Sequence, residues 1–402
     1  MSRPPFEVAD VIRATGKRFT DRNRCWLTGL HRKVLTAIER CRTAALGGHR
    51  DRCGRCGYET PSYSFNSCRN RHCGKCQTNA RNNWLKARSR ELLPVPYVHV
   101  VFTLPHQLAD LVFHNQRILY DLLFQASAAT LLEVAADPKH LGAEIGFLSV
   151  LHTWGQTLQF HPHVHCVIPS GGLAPDHQQW IRPRYPFFLP VQVLSTVFRG
   201  KFVAGLKRAW RARQLCLPGP LQPMTQEKMF RSFVRSLYRQ RWVVYAKPPF
   251  GGPQYVLHYL ARYTHRVAIS NHRLVNFVDG NVTFRWKDYT HGCKKRLMTL
   301  DANEFLRRFL LHALPRGFVR IRSFGFLANR RRTDLLSLCC RLLQSQPPPR
   351  RAEESTSAAV SPPLAPLWQC PKCGGPMAVV DRLTAQQLHW ELTRIGATLD
   401  TS

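Results

Sequence analysis

Apolar positions along the chain fall into two rhythms, one of helical and one of strand period. Over residues 1–50, Val11, Ile12, Leu27, Leu30, Val34, Leu35 and Ile38 recur at helical spacing, with arginines and lysines on the polar side. A second helix is expected over residues 78–92, ended by Pro94 and Pro96. Tyr97-Val98-His99-Val100-Val101-Phe102-Thr103-Leu104 reads as a buried strand, and helices follow over residues 106–136. Residues 146–155, with Phe147, Leu148, Val150, Leu151 and Trp154, read as another strand. A short turn leads back into residues 160–169, so a hairpin is expected. Residues 186–240 read as helical and 242–246 as a strand. Gly251-Gly252-Pro253 opens a further helix. Short strands alternate over 267–300 around the turn Asp279-Gly280-Asn281, and residues 301–343 read as helical. A strand, then helices, then antiparallel strands is an α+β pattern.

The hairpin carries the first candidate chemistry. Successive side chains on a strand point to opposite faces, so His163 and His165 share a face while Val164 enters the core. Two imidazoles about 7 Å apart on one side of a strand can chelate one metal ion. Ordinary strand histidines are the plainer reading. A His-Val-His run close to His161 and His152 favours a metal, because imidazole is the commonest metal ligand. His152, on the preceding strand, could supply a third ligand. On the later helix, Tyr255, Tyr259 and Tyr263 lie four apart and form one stripe. They flank the apolar arc of Val256, Leu257, Leu260 and Ala261, beside Arg262. Their phenols either reach a cleft or pack half-buried.

Cysteine spacing adds a second chemistry. Cys53-x-x-Cys56 and Cys73-x-x-Cys76 are separated by 16 residues, the spacing of a tetrahedral zinc site. Cys53, Cys56, Cys73 and Cys76 are therefore expected to bind one zinc. Cys68 and His72 lie between the pairs and could replace a ligand or build a second site with His49. Arg69, Arg71, Lys75 and Arg81 surround the second pair, which suits phosphate contact. A finger that only staples the N-terminal helices is the alternative. Cys370-x-x-Cys373 is half of a zinc ribbon with open partners, Cys339 and Cys340 being candidates.

Charge then narrows the partner. The 402 residues hold 58 Lys+Arg against 24 Asp+Glu, a net charge of +34. Such an imbalance favours a polyanion, nucleic acid first. Arg199, Lys201, Lys207, Arg208, Arg211 and Arg213 mark one basic stretch, and Arg320, Arg322, Arg330, Arg331 and Arg332 another. Phe284-Arg285-Trp286-Lys287-Asp288-Tyr289 is a mixed basic-aromatic strand, suited to stacked bases or to plain sheet packing. No uninterrupted apolar run reaches about 18 residues, so no membrane span is expected. With cysteines in CxxC pairs and no signal peptide, the expected compartment is reducing cytosol.

Four stretches together resemble a known family: SCRNRHCGKCQ at 67–77, LHTWGQTLQFHPHVHCVIPSGG at 151–172, YLARYTHRVAISNHR at 259–273 and RIRSFGFLA at 320–328. They are similar to the HUH single-strand endonucleases, specifically the two-tyrosine rolling-circle transposases of bacterial insertion sequences, the IS91 family. The resemblance implies an antiparallel-sheet HUH nuclease core and a metal, Mg²⁺ or Mn²⁺, on His163 and His165. Tyr259 and Tyr263 match the nucleophile pair. The implied activity nicks one DNA strand at an element end through a 5′-phosphotyrosine intermediate, in the bacterial cytoplasm at the nucleoid. The third ligand is not fixed by the resemblance; His152 is favoured, with Gln156 and His161 behind it. DNA contacts are expected at Arg69, Arg71, Lys75, Arg262 and Arg266. The expected organisation is a helical zinc-binding domain over 1–94 and a nuclease domain over 95–315, with a basic helical insertion around 186–240. A basic helical extension over 316–344, a linker over 345–368 and a tail over 369–402 complete it. Two other classes remain. A zinc hydrolase or deaminase would want a glutamate beside its ligands, and none lies near His163. A non-catalytic zinc-finger protein or inactive remnant would leave the aligned tyrosines and histidines unexplained.

Overall fold

A computed structural model describes residues 4, 6–59, 64–89, 91–185, 188–250, 255, 267–288, 292–344 and 369–394, with backbone only for 78–80, 248–250 and 392–394. Two compact units emerge: Thr78–Pro347, and a unit combining Met1–Gln77 with Pro348–Ser402.

The larger unit is built on a five-stranded antiparallel sheet in the order Ile321–Gly325, Gly146–Trp154, Phe160–Pro169, Tyr97–Thr103, Val244–Phe250. Alternation in the middle strands decides its two faces. One face carries Val98, Val100, Phe102, Phe147, Leu151, Val164, Cys166 and Ile168, all buried. They join a core with Leu119, Leu123 and Phe124 of the helix Gln116–Ala136 and Phe198 and Phe202 of the helix Val191–Arg211. Phe102 meets Phe198 edge-on, ring centroids 4.9 Å apart. Each such buried aromatic contributes about 1.5–3 kcal/mol. The helix Gln116–Ala136 is long and apolar enough to cross a membrane by length and composition, but Leu119, Leu122, Leu123, Leu131, Phe124 and Val134 are buried in this core. The opposite face of the sheet carries the histidines.

The hairpin expected at 146–169 is present as Gly146–Trp154 and Phe160–Pro169, the latter central in the sheet. A three-stranded meander follows later: Leu274–Val278, Asn281–Asp288 and Lys294–Asp301. Its first turn places Asp279 and Gly280 at φ of 50° and 74°, the left-handed pair a two-residue hairpin turn requires. The helix Ala302–Leu310 covers this meander through Phe305, which contacts Phe284 at a centroid distance of 6.1 Å.

The expected helix over 301–343 is a correction. After Leu310 the chain turns at Pro315 and Gly317 (φ 72°), forms the edge strand Ile321–Gly325, then resumes as the helix Arg332–Gln344. All five strand residues are half-buried, so no apolar alternation marked them as a strand. The arginines of this stretch also differ from a solvated basic face. Arg331 forks onto Glu144 at 2.6 and 3.1 Å, Arg332 approaches Glu91 at 3.6 Å, and Arg322 pairs with Asp121. The Arg322 guanidinium also lies 4.3 Å from the centre of the Phe124 ring.

In the smaller unit, the helices Val8–Arg22 and Gly29–Glu39 pack through Val11, Ile12, Phe19, Val34, Leu35 and Ile38, as the helical spacing implies. Helix does not run to residue 50: the strand Gly48–Cys53 begins there. That strand pairs antiparallel with Met377–Leu383, register Gly48↔Leu383 to Cys53↔Met377. Residues 369–394, expected as a separate tail, are therefore part of this unit. The helix Ala385–Arg394 follows, with Leu388 buried.

Candidate functional site

Cross-strand register builds the histidine site. His152 stands directly opposite His163, and Val150 opposite His165. Their side chains share one face of the sheet. One ring nitrogen from each of His152, His163 and His165 lies within 4.8 Å of the others. His152 and His165 are buried, and their ring centroids are 4.4 Å apart. Three donors that converge this closely suit one divalent ion. The favoured third ligand is thus beside the other two. Gln156 and His161 stand differently: the Gln156 amide oxygen accepts the Lys287 backbone N–H at 3.4 Å, and His161 is exposed.

Hydrogen bonds fix the chemistry of these rings. His163 Nδ1 lies 2.6 Å from the His161 carbonyl oxygen. A carbonyl only accepts, so Nδ1 carries the proton and Nε2 the lone pair. His165 Nδ1 lies 2.8 Å from Nε2 of His99, a buried residue of the neighbouring strand Tyr97–Thr103. The two rings stack at 5.0 Å, nearly parallel. Desolvation pushes His99 down to about 3, with Lys247 and His163 adding to the shift. His99 is therefore neutral near pH 7, and in the tautomer in which it accepts from His165 Nδ1–H the His165 lone pair stands on Nε2. His163 keeps part of its surface exposed, yet desolvation by the surrounding protein lowers it to about 4. Neutral imidazoles are what a metal binds. His99 was missed as a site residue. Its only signal was a lone polar residue inside an apolar strand.

Behind His152, the pairing slips at Thr153 before Trp154 meets Phe160. The Trp154 ring stacks on His152 at 4.7 Å. His312 supports this irregularity: it lies 3.2 Å from the Thr153 hydroxyl and 3.1 Å from the Leu158 carbonyl. Burial lowers His312 to about 4.

Tyr259, Tyr263, Arg262 and Arg266 lie outside the described residues. Tyr255 is exposed. Among the other expected DNA contacts, Arg69 is exposed and Arg71 half-buried, its guanidinium pKa lowered by desolvation. Lys75 forms an ion pair with Glu7. In the basic helices, Lys201 pairs with Glu133 at 2.5 Å, and Arg199 donates to the Tyr238 carbonyl at 3.1 Å. Lys228, Arg231, Arg235 and Arg239 line the exposed side of Glu227–Arg239, whose other side buries Phe230, Val234 and Leu237.

The cysteines gather differently from the expected grouping. Cys53, Cys56, Cys73 and Cys76 do not share a site. Cys73 and Cys76 join Cys41 and Cys68, while Cys53 and Cys56 join Cys370 and Cys373. Cys339 and Cys340 belong to neither group, and His49 and His72 are likewise outside both. In the first group, Sγ–Sγ distances are 3.6 Å for Cys41–Cys76, Cys68–Cys76 and Cys41–Cys73. The physical reason is local. The helix Gly74–Ser89 starts between Cys73 and Cys76, and turns both thiols toward Cys41, just past the end of Gly29–Glu39. Thiol hydrogen bonds, that with Cys41 foremost, hold Cys76 well below the ordinary thiol range and push Cys73 well above it. Four converging thiols are the donor set of a tetrahedral zinc.

Comparison with known proteins bears on both sites. A family model described as "Transposase zinc-binding domain" matches residues 11–104, and one described as "Putative transposase" matches residues 146–334. The chain is 52% identical over 343 residues to "Putative transposase y4qJ" of Sinorhizobium fredii, covering 85% of each chain. It is 29% identical over 325 residues to "Transposase for insertion sequence element IS801" of Pseudomonas savastanoi pv. phaseolicola, covering 77% of this chain and 75% of that one. No solved structure matches.

Proposed function

This chain belongs to the IS91 family of transposases, and from that premise we propose that it nicks and rejoins single-stranded DNA at the ends of its element by a rolling-circle route. The observation that carries this reading is the convergence of His152, His163 and His165 on one sheet face. All three donors are nitrogens, His163 presents its Nε2 lone pair, and His165 does so in the tautomer that donates Nδ1–H to His99, so the residues fit a divalent ion. Mg²⁺ prefers oxygen ligands, so this donor set ranks Mn²⁺ above it. His152, His163 and His165 would hold that ion, which would supply Lewis-acid polarisation and orientation of the scissile phosphate.

The remaining chemistry belongs to the chain. A tyrosine, Tyr259 or Tyr263, attacks phosphorus. The phenol gives up its O–H proton as the O–P bond forms, the P–O3′ bond breaks, and the departing 3′ oxygen takes up a proton to leave as a hydroxyl. The 5′ end then stays on the protein as a phosphotyrosine. Its bond energy is retained, so a free 3′-OH can reverse the step and join strands without ATP. Exposed cations, Arg69 and the row on Glu227–Arg239 among them, hold the backbone of the DNA. The setting is the cytoplasm, where element DNA lies in the nucleoid.

The test is a covalent-adduct assay. Labelled single-stranded oligonucleotides from both flanks of the gene are incubated with the full chain and Mn²⁺ or Mg²⁺. A labelled band at protein size that survives denaturing electrophoresis and disappears with chelator is expected. No adduct on any flank oligonucleotide, with DNA binding intact, would overturn the reading.

A further inference from the structure

The family model for zinc binding ends at residue 104, yet one of the two cysteine groups is completed by residues near the other end of the chain. We propose that Cys53, Cys56, Cys370 and Cys373 bind a second structural zinc, distinct from the one on Cys41, Cys68, Cys73 and Cys76, so that the C-terminal segment is a working half of the N-terminal zinc module.

The geometry is that of two matching knuckles. Cys53 Sγ lies 3.5 Å from Cys373 Sγ, and Cys56 Sγ 3.6 Å from Cys370 Sγ. A tetrahedral ion with Zn–S of about 2.3 Å separates its sulfurs by about 3.8 Å. A disulfide would need about 2.05 Å. The turns around each pair repeat. Gly57 donates its N–H to the Cys53 carbonyl at 3.1 Å, and Gly374 to the Cys370 carbonyl at 2.9 Å. Both glycines sit at positive φ, 70° and 69°, where a side chain would be strained. Backbone N–H groups point at sulfur in both halves: Arg55 and Cys56 at Cys53, 3.3 and 3.5 Å, and Lys372 at Cys370, 3.4 Å. Donors to sulfur favour the thiolate that a metal requires. The two knuckles are laced together as well, Gly54 N–H donating to the Pro376 carbonyl at 3.0 Å. Gly375 closes the site: a Cβ there would lie 2.8 Å from Arg55 Cβ and 3.2 Å from both Cys373 and Cys53 Sγ.

The metal is not the only tie. The strand Gly48–Cys53 pairs with Ser64–Phe65 over two residues only, and takes Met377–Leu383 along its whole length on the other side. Arg50 reinforces that pairing, reaching Asp381 at 2.6 Å. Without the C-terminal strand, this edge would present unpaired backbone groups. The site thus spans 314 to 320 residues of sequence, with the whole histidine unit inserted between its halves. Zinc binding at this site is independent of the nicking reaction.

Zinc itself is the probe. Metal analysis of the purified full chain should give two zinc ions per chain. The double variant Cys370→Ser with Cys373→Ser should give one. One zinc in the full chain, or two in the variant, would overturn the proposal. Because loss of both cysteines can also unfold the segment, a second measurement keeps all cysteines. A protease site is placed within residues 345–368 of the full chain, the purified protein is cut, and the products are run on gel filtration with and without a zinc chelator. The C-terminal fragment should co-elute with the rest until zinc is removed, then separate. Separation without chelator would defeat the proposal. Retention after both zinc ions are stripped would also defeat it, since strand pairing alone would then hold the segment.

Discussion

Replacing His99 with phenylalanine should weaken metal binding without touching a ligand. Phenylalanine keeps the buried volume and the near-parallel stack on His165, 5.0 Å between centroids. It removes the acceptor 2.8 Å from His165 Nδ1. A buried donor left without its acceptor costs about 1–3 kcal/mol, or about 5- to 150-fold in an equilibrium constant. The outer partners of metal-binding histidines are worth about 10- to 100-fold in affinity, and the two figures overlap. The released imidazole can also switch tautomer, putting the proton on the nitrogen meant for the metal. The assay is Mn²⁺ binding by titration calorimetry, paired with nicking rate against Mn²⁺ concentration. Half-saturation should rise about 10- to 100-fold, while the rate at saturating Mn²⁺ returns close to that of the parent. His99→Gln retains an accepting oxygen and should fall between. An unchanged half-saturation, or a rate that no Mn²⁺ concentration restores, would refute a positioning role.

Other expectations follow from the same geometry. His163→Ala and His165→Ala should each abolish adduct formation while leaving the thermal melt and DNA binding nearly unchanged; full nicking by the double variant would remove the metal site. Tyr259→Phe with Tyr263→Phe should form no adduct, and peptide mass spectrometry of the parent adduct should find the nucleotide on one of these two; label on Tyr255 would keep the enzyme class and move the nucleophile. His312 has a folded pKa of about 4 against 6.5 in the unfolded chain, so the unfolded state binds the proton first. Its contribution, about 3 kcal/mol, is complete above pH 6.5 and lost as pH falls toward 4; denaturant titrations of His312→Gln should show a smaller acid loss than the parent, and an equal loss would contradict this. With a net charge of +34, log affinity for DNA should fall linearly with log salt concentration; a flat response would mean the charge does not serve DNA contact.

Local pattern carried most of what was legible. The hairpin Gly146–Trp154 and Phe160–Pro169 could be read because its period, its turn and its histidines all sit within one short stretch. His152 followed, because antiparallel register sets it against His163. His99 did not. Its burial was apparent from the flanking valines, but no local feature says that a residue 66 positions earlier will meet His165. The strand Ile321–Gly325 failed for another reason: an edge strand half-buried throughout has no period for a sequence to show. Charge was legible as a total and misleading by position. Arg331 and Arg322 were grouped as a basic stretch, yet Glu144 and Asp121, far away in sequence, hold them.

The cysteines show where local spacing stops being sufficient. Each CxxC announces two ligands at a workable distance, but three such pairs leave the choice of partner open. The resolving signal lies in the residue after the second cysteine. Cys56 is followed by Gly57 and Cys373 by Gly374, and both adopt the left-handed backbone that closes a knuckle. Cys76 is followed by Gln77, inside a helix that begins at Gly74. A pair embedded in a helix start presents its thiols differently from a pair on a glycine-closed turn. The two glycine-closed pairs are therefore the ones that can face each other with near-equivalent geometry, which is what a four-sulfur tetrahedron requires. By the same reasoning, Gly57→Ala and Gly374→Ala should lower zinc occupancy at this site more than at the site of Cys41, Cys68, Cys73 and Cys76. Cobalt substitution can check this, because thiolate-to-metal absorption would fall by up to half in each variant. A loss shared equally by both sites would mean that the glycines support the fold at large and not the knuckles.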